Sequence, residues 1–433
     1  MLKAQKLTLA VVINAVLISS AYASEQSDAK GFVEGAQGSI LLRNGFIQRD
    51  KKKGLQDKNS WVQSAMLNLE SGFTQGPIGF AAGVVGDFSF KLGDNYHSGN
   101  SMVALKNDGR EDANGRVDPY DQWTRGGGFV KARASNTTLT YGTQVLDLPV
   151  LASMTTRNTP EYFEGTLITS HEIKDLELVA GKFTKNQLPE HIASDQNGLD
   201  RAYVWGAKYK FNDQLNASYY GADIKDKIER HYVSAAYKQP LANDSSLSYE
   251  WAGYSTKFKP GASVYDNTPV NTRTEDLNNY IWAFSTTYSQ GPHSVMGAYQ
   301  QNTGGIGYDY GVNQDGGQSI YLPNSYLSDF NSKGEKSVQL QYNLDLGAYN
   351  VPGLKWTTAF VYGWDIDIDS KNIDNANERE FFNQLSYTVQ SGFAKDLKIR
   401  ARYSILRESD IGANGYGDTN ETRIFIDFPI KFL

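Results

Sequence analysis

Along much of this chain polar and apolar residues alternate with a period of two, the repeat of a β-strand, whose successive side chains point to opposite faces. In LKIRARYSI, residues 397–405, Lys398, Arg400 and Arg402 share one face, and Leu397, Ile399, Ala401, Tyr403 and Ile405 share the other. Side chains on one face recur about every 7 Å. Three like charges so placed repel one another unless water or anions lie opposite them. The same design recurs in ETRIFIDFPIKFL, where Thr422, Ile424, Ile426, Phe428, Ile430 and Phe432 oppose Arg423, Asp427 and Lys431. In RAYVWGAKYKF, Tyr203, Trp205, Ala207, Tyr209 and Phe211 oppose Lys208 and Lys210. In SVQLQYNLDLG, Val338, Leu340, Tyr342, Leu344 and Leu346 oppose Gln339, Gln341, Asn343 and Asp345.

Segments of this kind, roughly ten residues long, run from Gly31 to the end and are broken by Gly, Pro, Asn or Asp. They number about eighteen, an even count of the kind single-chain outer-membrane barrels require. Short breaks such as Asn212-Asp213 and Phe393 to Asp396 contrast with long ones at 93–125, 186–200, 258–276, 303–335 and 407–420. A barrel with short periplasmic turns and long extracellular loops has this asymmetry. A soluble sandwich or propeller would need a blade or Greek-key repeat, and would leave many aromatics exposed to water.

Composition supports the membrane reading. The chain has 27 Tyr, 20 Phe and 7 Trp, yet its mean hydropathy is −0.49. A barrel strand reconciles the two, because each lipid-facing residue is averaged with a polar lumen-facing one. Lys3 and Lys6 precede an apolar run from Leu7 to Ile18, and Ala21-Tyr22-Ala23 fits a signal-peptidase site. The expectation is therefore an exported protein with a signal peptide over 1–23 and one barrel domain over 24–433, in the outer membrane of a Gram-negative cell. Cysteine is absent, which excludes disulfides, thiol nucleophiles and thiolate metal sites. The formal net charge of −6 argues against nucleic acid as a partner.

Several local sequences carry a resemblance. SGFTQGPIGF (71–80), DGR (108–110) and VKARASNTTLTYGTQ (130–144) are similar to the N-terminal third of the OprD family of substrate-specific outer-membrane porins. LPVL at 148–151, then Arg157, Pro160, Phe163 and Gly165 in TTRNTPEYFEG, followed by EIKDLELVAGKF, resemble that family's third loop and next hairpin. FNDQLNASYYGADIKD and IDFPIKFL extend the likeness over nearly all of the mature chain. No one motif decides it; their order and spacing do.

The resemblance implies an all-β, eighteen-stranded antiparallel barrel, a pore narrowed by an inward-folded loop, and a basic ladder that guides small carboxylate solutes, either amino acids or cyclic and aromatic acids. Alternation then nominates lumen cations: Lys398, Arg400 and Arg402, with Lys131, Arg133, Arg230, Lys238, Lys208, Lys210, Lys355 and Arg423. Arginine suits the role because its planar fork holds a carboxylate by two hydrogen bonds and stays charged. The alternative for any one of them is a solvated charge near the rim. Arg157, in the matching constriction loop, is the leading candidate to touch solute, with Tyr162 adding a hydroxyl. The alternative for Arg157 is a loop-anchoring salt bridge to Glu161 or Glu164. In that family a carboxylate stands shortly before the loop arginine, whereas Thr155 and Thr156 stand here, which argues against strong cation selectivity.

Other chemistry is excluded on pattern. DIDIDSKNID (365–374) begins like a calcium loop, but Ser370 replaces the turn glycine and Ala376 the bidentate glutamate. GIGYDYG (305–311) lacks the helix a nucleotide fingerprint requires. The five histidines form no H-E-x-x-H, and no serine sits in G-x-S-x-G. The expectation is a channel without cofactor or metal, in contact with outer-membrane lipid and lipopolysaccharide. Its rivals are a general diffusion pore and a barrel hydrolase. A monomer and a loose trimer expose similar strand patterns, so both stay open.

Overall fold

The computed structural model describes residues 24–195, 198–259, 262, 277–310, 320–410 and 416–433. The signal-peptide assignment lies outside the described residues, as does most of the long break at 258–276. Twenty strands follow one another: β1 Gln37–Lys51, β2 Lys58–Glu70, β3 Ile78–Lys91, β4 Gln122–Ala134, β5 Thr137–Gln144, β6 Asp147–Leu148, β7 Leu151–Ala152, β8 Tyr162–Ser170, β9 Leu176–Gln187 and β10 Ala202–Lys210. Then come β11 Leu215–Ile224, β12 Ile228–Pro240, β13 Ser245–Phe258, β14 Leu277–Gln290, β15 His293–Gly304, β16 Lys336–Asp345, β17 Leu354–Ile368, β18 Ile373–Thr388, β19 Lys398–Glu408 and β20 Thr419–Lys431.

All but β6 and β7 join one 18-stranded antiparallel sheet, which closes where β20 pairs with β1 from Ser39↔Lys431 to Lys51↔Thr419. Closure leaves no unpaired edge, the condition for strands in hydrocarbon. The tightest links, Ser135-Asn136 between β4 and β5 and Gly291-Pro292 between β14 and β15, lie at one end of the barrel, and the longest, those after β3, β13 and β15, lie at the other. Gly291 has φ +52°, a conformation that a residue with a side chain adopts at a cost. Short links mark the periplasmic end and long links the extracellular end.

Burial alternates along the wall as the sequence pattern predicts. In β19, Ile399, Ala401 and Tyr403 are exposed toward lipid while Lys398, Arg400 and Arg402 are half-buried inside. Phe360, Phe381, Leu340 and Ile424 lie on the same outer surface.

The apolar core of this barrel is internal and built by loops. Segment 145–161, hereafter L3, carries Leu146, Leu148, Val150, Leu151 and Met154, all buried. Burying such a side chain contributes about 1.5–3 kcal/mol each, which draws the loop inward. The two-stranded hairpin β6–β7 stands apart from the wall and packs with Phe163, Phe183, Tyr232, Tyr254 and Ile281 on the inner faces of β8 to β14. The described parts of the long segment after β15, 305–310 and 320–335, hereafter L7, follow the same logic through Ile306, Tyr308, Leu322, Leu327 and Phe330. L3 and L7 therefore both enter the lumen, and the loop after β3 also packs inward, with Met102, Val103 and Ala104 against Ile47 and Phe425.

Candidate functional site: the channel constriction

The return leg of L3 is fastened to the wall by buried polar contacts. Arg125 on β4 forms an ion pair with Asp87 on β3 at 2.8 Å. The same guanidinium donates to Thr159 Oγ1 at 2.8 Å, to the Pro160 carbonyl at 2.7 Å and to the Leu188 carbonyl at 2.7 Å. Both side chains are fully buried, where a hydrogen-bonded charge pair is costly to break. Arg43 on β1 holds Asp427 on β20 with two hydrogen bonds, 2.6 and 3.1 Å, and turns its remaining nitrogen to the Arg157 carbonyl at 3.1 Å. Asn158 donates to Ser64 on β2.

Arg157 is itself 5% exposed, with Nε donating to the Asn100 carbonyl at 2.6 Å and Nη1 to Thr156 Oγ1 at 2.8 Å. It anchors L3 to the loop after β3, not to the two carboxylates expected. Glu161 instead accepts from the Met154 amide at 3.0 Å and Asn186 at 2.8 Å, and Glu164 pairs with Lys185 at 2.8 Å. Burial, with Arg423 and Arg49 close by, lowers the Arg157 guanidinium from its ordinary value.

The cation row is half-buried on the inner face of β19. Lys398, Arg400 and Arg402 point inward from β19 and register with Asp427, Phe425 and Arg423 on β20. Arg400 stacks over the Phe425 ring at 5.1 Å and Arg402 over Phe382 at 5.1 Å. Stacking fixes each guanidinium plane and leaves its N–H edge directed away from the ring. Phe382 also stacks with Tyr326 of L7, centroids 4.2 Å apart, which sets one border of the row. The other border is L3 at Arg43 and Arg157. L7 is held there because Glu380 on β18 accepts from the Leu327 and Ser328 amides at 3.1 and 3.0 Å. Asp329 of L7 accepts from Tyr310 and Ser325, and burial raises its carboxyl from the ordinary value.

The charges on this wall are unevenly compensated. Arg49 pairs with Glu421 at 2.8 Å, Arg423 pairs with the same carboxylate, and Arg43 pairs with Asp427. Among the described residues Lys398, Arg400 and Arg402 make no ion pair; Arg402 has one long contact, 3.4 Å, to Gln384.

Other nominated residues are placed elsewhere. Lys131 and Arg133 face the lumen near the periplasmic end, the first paired with Glu70 at 2.6 Å and the second held by Gln26 at 3.1 Å over the Phe73 ring. Lys355 lies across from Asp345 at 3.4 Å, and Lys210 pairs with Asp213 at the adjoining turn. Two expectations are corrected. Arg230 is 2% exposed, donates to Thr256 at 3.0 Å and to the Asp309 carbonyl, and stacks on Tyr308, so it fastens L7 to β12. Tyr162 is 4% exposed and donates its hydroxyl to Asp87 at 3.1 Å, so it serves the L3 anchor. Arg43, Arg49 and Arg125 were missed, although period-two alternation puts Arg43 and Arg49 on one face; the apolar Leu41 and Ile47 on that face hide the signal.

Comparison with known proteins agrees with this geometry. Residues 30–432 match the model of the outer membrane porin, OprD family. Porin D of Pseudomonas aeruginosa is 34% identical, with 96% of this chain and 95% of that protein aligned. The crystal structure of Acinetobacter baumannii OccAB1 superposes with a TM-score of 0.89 at 60% identity, covering 95% of this chain and 100% of that one. Pseudomonas aeruginosa OccK2 (OpdF), crystallised in complex with glucuronate, superposes with a TM-score of 0.76 at 26% identity, covering 93% and 100%. The chain belongs to the OprD family of outer-membrane porins, and it is a channel, not an enzyme.

Proposed function

We propose that this porin admits small carboxylate-bearing solutes, amino acids or cyclic and aromatic acids, and that the row Lys398, Arg400 and Arg402 attracts them. The observation that carries the reading is the absence, among the described residues, of any carboxylate in ion-pair range of these three cations, while neighbouring Arg43 pairs with Asp427 and Arg49 and Arg423 share the one carboxylate of Glu421. A carboxylate entering beside β19 meets two oriented guanidiniums and an ammonium in succession. Each contact is made in a wet lumen and is weak, so the solute is passed along and not trapped. Arg157 and Arg423 extend the positive field at the constriction, and Lys355, Lys131 and Arg133 extend it toward the periplasm. Glucuronate bound to a relative of the same fold is a solute of this chemical type. The general diffusion pore is the competing reading. Liposome swelling with glucuronate against glucose, and benzoate against a neutral sugar, separates them: the acids are expected to enter faster than neutral solutes of their size. Equal rates would favour the general pore.

A further inference from the structure

On the outer wall, near the extracellular end, two arginines face each other across a strand pair. Arg379 lies in Glu378-Arg379-Glu380 of β18 and Arg407 in Leu406-Arg407-Glu408 of β19, and the two are register partners. Alternation sends the acids inward, where Glu378, Glu380 and Glu408 are 0%, 0% and 5% exposed, and sends both arginines outward. The acids thus lie on the opposite face of the sheet from the arginines. Other acids of this outer region are engaged elsewhere: Asp365 pairs with Lys336 at 2.8 Å, and Asp410 accepts from Ser409 at 2.8 Å. Among the described residues neither arginine makes an ion pair.

Like charges directly opposite each other on one sheet face destabilise it. Partner Cα atoms are about 4.5–5.5 Å apart, so both guanidiniums reach one anion set between them. The Arg407 guanidinium is already oriented, with Nη1 donating to the Leu406 carbonyl at 2.7 Å and Nη2 to Asn420 at 2.8 Å. Arg379 is exposed beside its other register partner, Tyr362 on β17. Two residues below the pair, about 7 Å along the strands, stand the lipid-facing side chains of Phe381 and Ile405, with Phe360 and Tyr403 adjoining. The site is therefore cationic at its top and continuous with hydrocarbon below.

We propose that Arg379 and Arg407 bind a phosphate group of an outer-leaflet lipid, the phosphorylated glucosamine headgroup of lipopolysaccharide, whose acyl chains then cover Phe381, Ile405 and Phe360. Arginine forks match phosphate oxygens bidentately, which a single ammonium does not. The extracellular side carries this lipid, and the apolar band beneath distinguishes a lipid phosphate from a free one. Binding neutralises the pair and ties β18 to β19 beneath the outer loops.

The test uses the full barrel, purified in detergent and stripped of lipid, titrated with bisphosphorylated lipid A, with its dephosphorylated form, and with inorganic phosphate, and read by native mass spectrometry. Arg379→Gln/Arg407→Gln is expected to weaken bisphosphorylated lipid A by about tenfold or more, since two charge-assisted hydrogen-bonding groups are lost. The dephosphorylated lipid should bind both proteins equally. Single-channel conductance should not change, because both side chains point away from the lumen. Should the double variant fold poorly, Arg379→Gln alone, which removes no described contact, is expected to give a smaller loss of the same lipid selectivity. Undiminished lipid A binding by the variants would overturn the proposal. So would an equal loss for the dephosphorylated lipid, and so would displacement of lipid A by equimolar inorganic phosphate, which would mark a free-anion site.

Discussion

Replacing Arg400 and Arg402 together by glutamate tests the cation row at its centre. Neither side chain makes an ion pair among the described residues, and both lie on the inner face, so the perturbation is electrostatic before it is structural. A unit charge about 4 Å from a carboxylate is worth about 1 kcal/mol in bulk water and more where water is thinned. Each reversal changes the charge by two units, so a carboxylate beside the row rises by about 4 kcal/mol. Screening over a Debye length of about 8 Å, and the remaining cations Lys398 and Arg423, reduce this. Half of it, about 2 kcal/mol, still lowers anion occupancy about 30-fold. Reversal potentials under a potassium chloride gradient should shift toward cation selectivity, and glucuronate uptake should fall accordingly. The barrel should assemble, whereas Ile399→Arg places a charge in hydrocarbon at a cost of about 2–4 kcal/mol at mid-membrane and should impair assembly. A well-folded double variant with unchanged reversal potential and unchanged acid flux would refute the reasoning; misfolding of the double variant with normal insertion of Ile399→Arg would invert the face assignment.

Three further outcomes follow from the loop anchors. Arg125→Met leaves Asp87 buried without its cation, a loss of about 3–5 kcal/mol, and should give a larger, noisier single-channel conductance; an unchanged trace would show that L3 does not depend on this anchor. Arg157→Lys retains a charge but loses the Nε contact to the Asn100 carbonyl, so selectivity should persist while current noise rises; Arg157→Ala should lose both without affecting heat-modifiable migration. Burial pushes the Glu161 carboxyl from an ordinary 4.5 up to about 8. A raised carboxyl contributes fully to L3 order below its unfolded value and loses that contribution as pH climbs through 8. Open-channel noise should therefore increase from pH 6 to about pH 9 and should be flat in Glu161→Gln.

The barrel was legible because lipid and water differ most sharply on opposite faces of one strand. In β19 and β16 every second residue reports its side, and the inner and outer sets agree with the structure. The reading failed where the inner face does not meet water. Tyr220, Ala222 and Ile224 of β11, and Ile228 and Tyr232 of β12, point inward yet pack with L3 and L7, so the inner face there is largely apolar instead of polar. Arg230, in that covered region, was read as a lumen cation because alternation gives its face and not what lies over it. Ile47 on β1 likewise packs against Met102 and Val103 of the loop after β3. The resemblance supplied L3; nothing periodic announced that 305–310 and 320–335 also turn inward, since loop packing depends on side chains far apart in sequence.

This difference between covered and uncovered wall explains why arginines of one chain have two fates. Under a loop, a buried guanidinium needs hydrogen-bond partners, because water cannot reach it, and its charge is costly unless paired. Arg125 with Asp87 and Arg43 with Asp427 meet that demand, and their leftover donors take loop carbonyls that would otherwise be unsatisfied. A loop carbonyl near an inward arginine thus selects for anchoring. L3 follows the wall from β1 and β2, at Arg43 and Ser64, to β13, where Tyr254 donates to the Pro149 carbonyl at 3.1 Å. L7 covers β12 at Arg230 and reaches β18 at Glu380. Neither loop makes a described hydrogen bond to Lys398, Arg400 or Arg402. β19 is where the arginines are half-buried and make no ion pair among the described residues, and on the proposed function it is there that a solute carboxylate would find a donor not already engaged. On the proposed function the path of permeation follows that row, away from β11 to β14, where L3 and L7 pack together and Tyr321 donates to Asp147.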